Sequence, residues 1–120
     1  MESPRTQEKT RQGRLGEDFA VGYLESKGHW ILFRNYRKAF GELDIISFKD
    51  EILHCSEVKF WSETSGFHPL ECFHETKRNR MRKVYYYLLK EIPAFHHLTP
   101  SFNLIHITEK KEVHFYSSIF

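Results

Sequence analysis

A chain of 120 residues, 40% hydrophobic and 16% aromatic, carries enough apolar material for one packed core and too little length for two ordinary domains. A formal net charge of +2 excludes binding of a polyanion through bulk charge alone, so any affinity for nucleic acid has to come from where the cations sit. Two cysteines, Cys55 and Cys72, build no disulfide framework, and there is neither a signal-peptide pattern nor an apolar run near the ~20 residues of a membrane span, so the expectation is a soluble, cytoplasmic protein.

Residues 1–12 are polar, contain Pro4 and lack periodicity, which reads as a flexible N-terminal tail or frayed helix start ahead of a domain over 13–120. A first helix is predicted over 13–27, with Leu15, Phe19, Ala20, Tyr23 and Leu24 as its apolar stripe and Gly28 placed to end it. Glu17 lies at the border of that stripe, either as a solvated rim residue or as a carboxylate able to reach across a sheet. Residues 30–33 are a short apolar run and a first strand, and Arg34, Arg37 and Lys38 follow in a predicted loop leading to Gly41.

Two apolar runs then carry acids where packing alone does not ask for them. The first, 43–48, contains Asp44; the second, 52–61, contains Glu57 and Lys59, which at i and i+2 of a strand project to one face while Val58 turns away. Lys49-Asp50-Glu51 between them is a turn, so the pair reads as a hairpin whose register decides whether the side chains meet. A two-residue loop at Asp50-Glu51 puts Asp44 directly opposite Glu57, and one at Lys49-Asp50 makes them diagonal neighbours at roughly 7–8 Å. A three-residue loop throws them onto opposite faces. Converging carboxylates suit a hard divalent cation such as Mg²⁺, with Lys59 placed to orient a water or neutralise charge on phosphate oxygens. A solvated strand face with a neighbouring Glu-Lys pair is the plain alternative.

Residues 62–69 are a Ser-, Thr- and Gly-containing loop beside that site, where substrate contact is expected. A second helix begins at Pro69 or, with Thr76 as N-cap, slightly later; Glu91 and Pro93 mark its end, and Met81, Val84, Tyr85, Leu88 and Ile92 form its sheet-facing stripe. Its first turns hold Lys77, Arg78, Arg80, Arg82 and Lys83, the densest positive patch of the chain, suited to phosphate contact or to simple solvation. Tyr85-Tyr86-Tyr87 points in three directions on a helix and makes no stacking platform by itself. Cys72, His74 and His68 match no structural zinc spacing. Two closing strands, 102–108 and 113–117, are joined by a turn at 109–112.

Gly41-Glu42-Leu43-Asp44-Ile45-Ile46 and Glu57-Val58-Lys59 resemble the paired motifs of the PD-(D/E)XK nuclease superfamily. With Arg14-Leu15-Gly16-Glu17, Asn35-Tyr36-Arg37 and Lys77-Arg78-Asn79-Arg80-Met81, the chain from about Gly13 to Phe120 is similar to the small bacterial YraN-like family, regarded as distantly related to archaeal Holliday junction resolvases. The resemblance implies a restriction endonuclease-like α/β domain and a metal-dependent deoxyribonuclease that uses Mg²⁺ or Mn²⁺, with branched DNA among its substrates. It implies metal ligation at Asp44, Glu57 and Val58, catalytic assistance from Lys59 and Glu17, and DNA-backbone contacts from Arg37, Lys77, Arg78, Arg80 and Arg82. Two departures stand out: Phe60-Trp61 where the family continues with a basic residue, and Phe102-Asn103-Leu104 where relatives tend to carry an Asp.

The fold expected is a single α/β domain of order α-β-β-β-α-β-β, a mixed sheet flanked by two helices. Two readings compete with the nuclease: a nucleic-acid-binding module that cleaves little or nothing, and a partner-binding subunit whose aromatic surface at Phe60, Trp61 and Phe67 is exposed. No dimer face is legible, although many nucleases cut two strands as homodimers.

Overall fold

A computed structural model describes residues 4–60 and 69–120. Helix α1 spans Pro4–Ser26, strands β1 (Trp30–Lys38), β2 (Gly41–Lys49) and β3 (Ile52–Phe60) follow, helix α2 spans Glu75–Glu91, and β4 (Thr99–Ile107) and β5 (Val113–Tyr116) close the chain. Short 3₁₀ turns at Pro69–Cys72 and Pro93–His97 bracket α2. The expected order of elements is therefore observed, in one five-stranded mixed sheet ordered β1-β2-β3-β4-β5. Only β3 and β4 run parallel, because α2 carries the chain over the sheet between them.

Tight turns set the registers. Lys49 pairs with Ile52, so the β2–β3 loop is Asp50-Glu51, and both residues have left-handed backbones (φ 52° and 62°), the conformation of a type I′ hairpin turn. Lys38 pairs with Gly41, so the β1–β2 loop is likewise two residues, Ala39-Phe40. Strand β1 runs to Lys38 instead of stopping at Phe33, so Arg34, Arg37 and Lys38 lie on a strand and not in the expected loop. The longer strand contains an irregularity between Ile31 and Phe33 and a left-handed residue at Asn35 (φ 54°).

Each face of the sheet buries one helix. On one side Met81, Val84, Tyr85 and Leu88 of α2 pack on Leu43, Ile46, Leu53, Cys55 and Leu104. On the other, Ala20 and Leu24 of α1 pack on Ile45, Ile105 and Ile107. Two details of α1 differ from expectation. The helix starts at Pro4 and not at residue 13, in keeping with the helix-start alternative for residues 4–12, and Leu15 and Phe19 are 62% and 39% exposed. The physical reason is the i, i+4, i+8 row of Gly16, Ala20 and Leu24: a Cβ at Gly16 would stand 3.3 Å from the Phe60 Cβ, so the helix seats its small residues on the sheet. Leu15 and Phe19 are each one position earlier, about 100° around the helix, and turn outward.

Helix α2 is capped by His74, whose Nδ1 accepts from the Lys77 N–H at 3.3 Å, and not by Thr76, which lies inside the first turn. No helix of the described residues is long and apolar enough to cross a membrane. Trp61, Phe67 and the loop expected over 62–69 fall, up to residue 68, outside the described residues.

Candidate active site

The Asp50-Glu51 turn selects the first of the three registers open to the sequence. Ile45 pairs with Ser56, and one step further along the hairpin Asp44 faces Glu57. Ladder pairing gives way at that step to a side-chain bond: the Val58 N–H donates to Asp44 Oδ2 at 2.9 Å. Both carboxylates are buried, Asp44 8% and Glu57 7% exposed. Burial first and the Glu57 charge second raise the pKa of Asp44 well above the carboxylate range; Glu42 and Glu17 add smaller upward pushes, while the Val58 N–H opposes them.

Cations answer that charge at Glu57. Lys59 Nζ lies 3.3 Å from Glu57 Oε1, as expected for i and i+2 on one strand face. A second ammonium reaches the same oxygen: Lys77 Nζ, from the first turn of α2, is 2.6 Å away. Lys77 was expected on a DNA backbone; its side chain is instead committed to the acidic pair. Glu17 stands at the β1 side, where its Oε2 accepts from Asn35 Nδ2 at 3.0 Å and lies 3.7 Å from an Arg34 guanidinium nitrogen. Asn35 sits between Arg34 and Tyr36, which pair with Ile45 and Leu43, so it flanks Asp44 from the other strand. Glu17 is thus tied to the strand beside the acids, close enough for its charge to raise Asp44, and is not a solvated rim residue.

Two oxygen donors on adjoining strands, in a spot negative enough to draw two ammonium groups onto one oxygen, fit a hard divalent cation. Val58, whose main chain is already tied to Asp44, borders the same spot. Among the described residues no cluster of three or more His, Cys, Asp or Glu is arranged to hold a metal, so water and phosphate oxygens would have to complete such a site.

Outside the acids a cleft of about 340 Å³ is lined by Glu42, Glu57, His74, Lys77 and Arg80. It shares Gly41, Glu42 and Arg80 with a larger groove of about 650 Å³, bordered by Arg37, Lys38, Phe40 and Lys83. The hairpin can lie this close to α2 because residue 41 is glycine; a Cβ there would stand 3.3 Å from both Arg80 Cβ and Val84 Cγ2.

The basic residues of α2 separate into two groups. Arg80 and Lys83 face the groove and form no ion pair with described residues. Arg78 and Arg82, also expected to contact DNA, turn to the other side: Arg78 donates to the Phe73 carbonyl at 2.8 Å, and both guanidiniums lie over the Phe120 ring, 5.6 and 4.9 Å from its centroid. On the hairpin, Arg37 Nε pairs with Glu42 Oε2 at 3.0 Å while bordering the groove. Lys83 and Lys38 were legible as part of basic clusters; the role of Lys77 was not, because nothing in a helical pattern says that one cation reaches into the sheet.

The Asn at position 103 has a structural use. Its Oδ1 accepts from Ser101 Oγ at 2.7 Å and from the Ser118 N–H at 3.0 Å, and its Nδ2 lies 3.0 Å from His54 Nδ1 and 3.3 Å from Ser56 Oγ. This departure from the motif leaves the acidic pair untouched. Phe60 packs against the α1 side of the core and is half-buried there.

The model of the uncharacterised protein family UPF0102 matches residues 16–107. A UPF0102 protein of Leptospira interrogans is 43% identical over 112 residues, covering 93% of this chain and 97% of the relative. One from Campylobacter jejuni is 42% identical over 84 residues, 70% of this chain and 67% of its own. One from Dictyoglomus turgidum is 44% identical over 72 residues, 60% and 61% of the two chains.

Proposed function

The chain belongs to the uncharacterised protein family UPF0102, and from the geometry of its acidic site we propose that it is a metal-dependent nuclease of the PD-(D/E)XK type, hydrolysing phosphodiesters of DNA. The observation that carries this reading is the Asp50-Glu51 turn, which brings Asp44 opposite Glu57 with Lys59 on the same carboxylate, Glu57 lining a cleft that adjoins a groove bordered by cations. Structural packing asks for none of these: a buried pair of like charges is destabilising unless something positive joins it.

Asp44, Glu57 and the main chain at Val58 would hold Mg²⁺ or Mn²⁺, which when bound polarises a phosphodiester and lowers the pKa of a water. The chain's own residues do the rest. Val58 N–H fixes the Asp44 carboxylate through Oδ2. Lys59, on the same face, orients the attacking water or balances charge growing on the non-bridging oxygens. Glu17, steadied by Asn35, adds negative charge beside Asp44 that favours cation capture. Arg80 and Lys83, with Arg37 and Lys38 across the groove, hold the backbone leading to the site without reading its sequence.

One observation favours a second reading, a nucleic-acid-binding module with little or no cleavage: Lys77 and Lys59 together already neutralise Glu57. The deciding experiment is cleavage of labelled linear, single-stranded and four-way-junction DNAs with Mg²⁺ or Mn²⁺ by wild type, Asp44→Ala and Lys59→Ala. Cleavage by wild type that both variants lose supports the nuclease. Binding without cleavage, unchanged in both variants, selects the binding module.

A further inference from the structure

The larger groove holds an aromatic pair that phosphate contact does not use. Phe40, at the tip of the β1–β2 turn, lines it and is 39% exposed; Tyr87 of α2 meets Phe40 edge to face, ring centroids 6.2 Å apart at 63°, and is 41% exposed. Lys38 Nζ sits 4.5 Å from the Tyr87 centroid and 4.9 Å from that of Tyr36, and Tyr36 in turn bonds Glu91. Tyr87 is therefore braced from two sides, and Phe40 rests on it with part of its ring still open to the groove. The groove's volume, about 650 Å³, lies within the usual range of small-ligand sites, roughly 300–1,000 Å³.

A large apolar ring at a turn tip costs solvation unless something covers it, and of the four cations around it Arg37 and Lys38 are paired with Glu42 and Glu91 while Arg80 and Lys83 are left to meet an anionic occupant. Continuous duplex presents phosphates there but keeps its bases stacked inside. An unpaired nucleotide presents both a phosphate and a π-face, the combination that single-strand-binding surfaces take up with aromatics set among cations.

We propose that Phe40, backed by Tyr87, is a stacking platform for one unpaired base of a single-stranded segment whose backbone lies along Arg37, Lys38, Arg80 and Lys83. This inference rests on the nuclease reading for its nucleic-acid ligand and adds a substrate class: DNA with an unstacked nucleotide beside the acidic site. The Tyr85-Tyr86-Tyr87 run makes no platform by itself, since Tyr85 is buried; the partner ring comes from the hairpin.

Fluorescence anisotropy in EDTA, with a labelled oligothymidylate and a duplex of equal length, separates binding from cleavage. For Phe40→Ala the single strand weakens about tenfold, the factor expected for one lost stacked base, and the duplex is unchanged. Phe40→Trp keeps the affinity, and its added fluorescence is quenched by oligothymidylate but not by an abasic oligomer of the same length. Thermal melts confirm that both variants fold. Equal affinities of wild type and Phe40→Ala for the single strand, or a Phe40→Trp signal that does not distinguish bases from abasic sites, would overturn the platform while leaving metal-dependent cleavage standing. Binding of neither DNA overturns platform and nuclease reading together. Tighter, Phe40-dependent binding of an acidic peptide rich in aromatic residues would also overturn it and assign the groove to a protein partner.

Discussion

Lys77 places a tethered positive charge on Glu57, where the proposed mechanism puts a metal ion, and the competition between the two has a measurable consequence. Its Nζ and that of Lys59 converge on one oxygen of Glu57, at 2.6 and 3.3 Å, with the Glu57 side chain 9% exposed and the two lysines 25% and 32% exposed. At 2.6 Å the gross attraction is about 6 kcal/mol for an effective dielectric near 20, most of it offset by desolvation. What is lost on removing one charge-assisted hydrogen bond is about 1.5–3 kcal/mol. Lys77→Met keeps most of the stem and removes the charge, so without metal it should lower the melting temperature by roughly 5–15 °C for a domain of this size. Lys59→Met, with the longer contact and the more exposed side chain, should cost less. A divalent cation at the acids must displace Lys77 from Glu57 in the wild type but not in the variant. Thermal melts with and without millimolar Mg²⁺ or Mn²⁺ should therefore show a larger metal-induced rise for Lys77→Met than for wild type. An equal or smaller rise in the variant would refute the competition, and a variant as stable as wild type without metal would refute the energetic weight of the pair.

Other substitutions test neighbouring parts of the site and fold. Asp44→Asn replaces a buried carboxyl whose ionisation burial and Glu57 already oppose, while its amide oxygen can still accept from Val58 N–H; denaturant titration should find it at least as stable as wild type without metal, and cleavage should be lost. His29, buried with Nδ1 2.9 Å from Ser47 Oγ and its ring 4.6 Å from that of His54, has its pKa lowered to about 4, by burial first and by the charges of His54 and Lys49 next. The unfolded state then binds the extra proton, so the stability His29 contributes is full above about pH 6.5 and falls as pH drops toward 4, by on the order of 1–3 kcal/mol; His29→Gln should flatten that slope, and an unchanged slope would reject the assignment. Among the groove cations Arg37 and Lys38 are already paired with Glu42 and Glu91, leaving Arg80 and Lys83, so log-log salt dependence of duplex binding should have a slope near −2. Glu91→Gln, which releases Lys38, should steepen it by about one.

The parts of this fold legible from the chain were those encoded locally. Alternation placed Glu57 and Lys59 on one face, and the polar Asp50-Glu51 step stood between two apolar runs that had to pair. The choice among three registers was not local, because neither Asp nor Glu is a strong type I′ residue; the pairing of Ile45 with Ser56 and of Lys49 with Ile52 is settled by burial on both faces of β2. Helix α1 shows where local reading misleads. Leu15 and Phe19 are the larger apolar residues, but a helix seats itself by how closely it can approach, and Gly16 with Ala20 allows more contact than a stripe of bulky side chains.

The basic patch carries the same lesson into function. Five cations crowd the first turns of α2, and as a count they predict a broad phosphate-binding face. Helical geometry divides them instead: Lys77 reaches inward to Glu57, Arg78 and Arg82, four apart, share the Phe120 ring, and Arg80 and Lys83, three apart, face the groove. Two strategically placed cations opposite a turn bearing Phe40 make a narrower track than five would, and a narrow track admits one strand more readily than two. The separation of the patch by i+3 and i+4 spacing, more than its total charge, is what the proposed single-stranded ligand rests on.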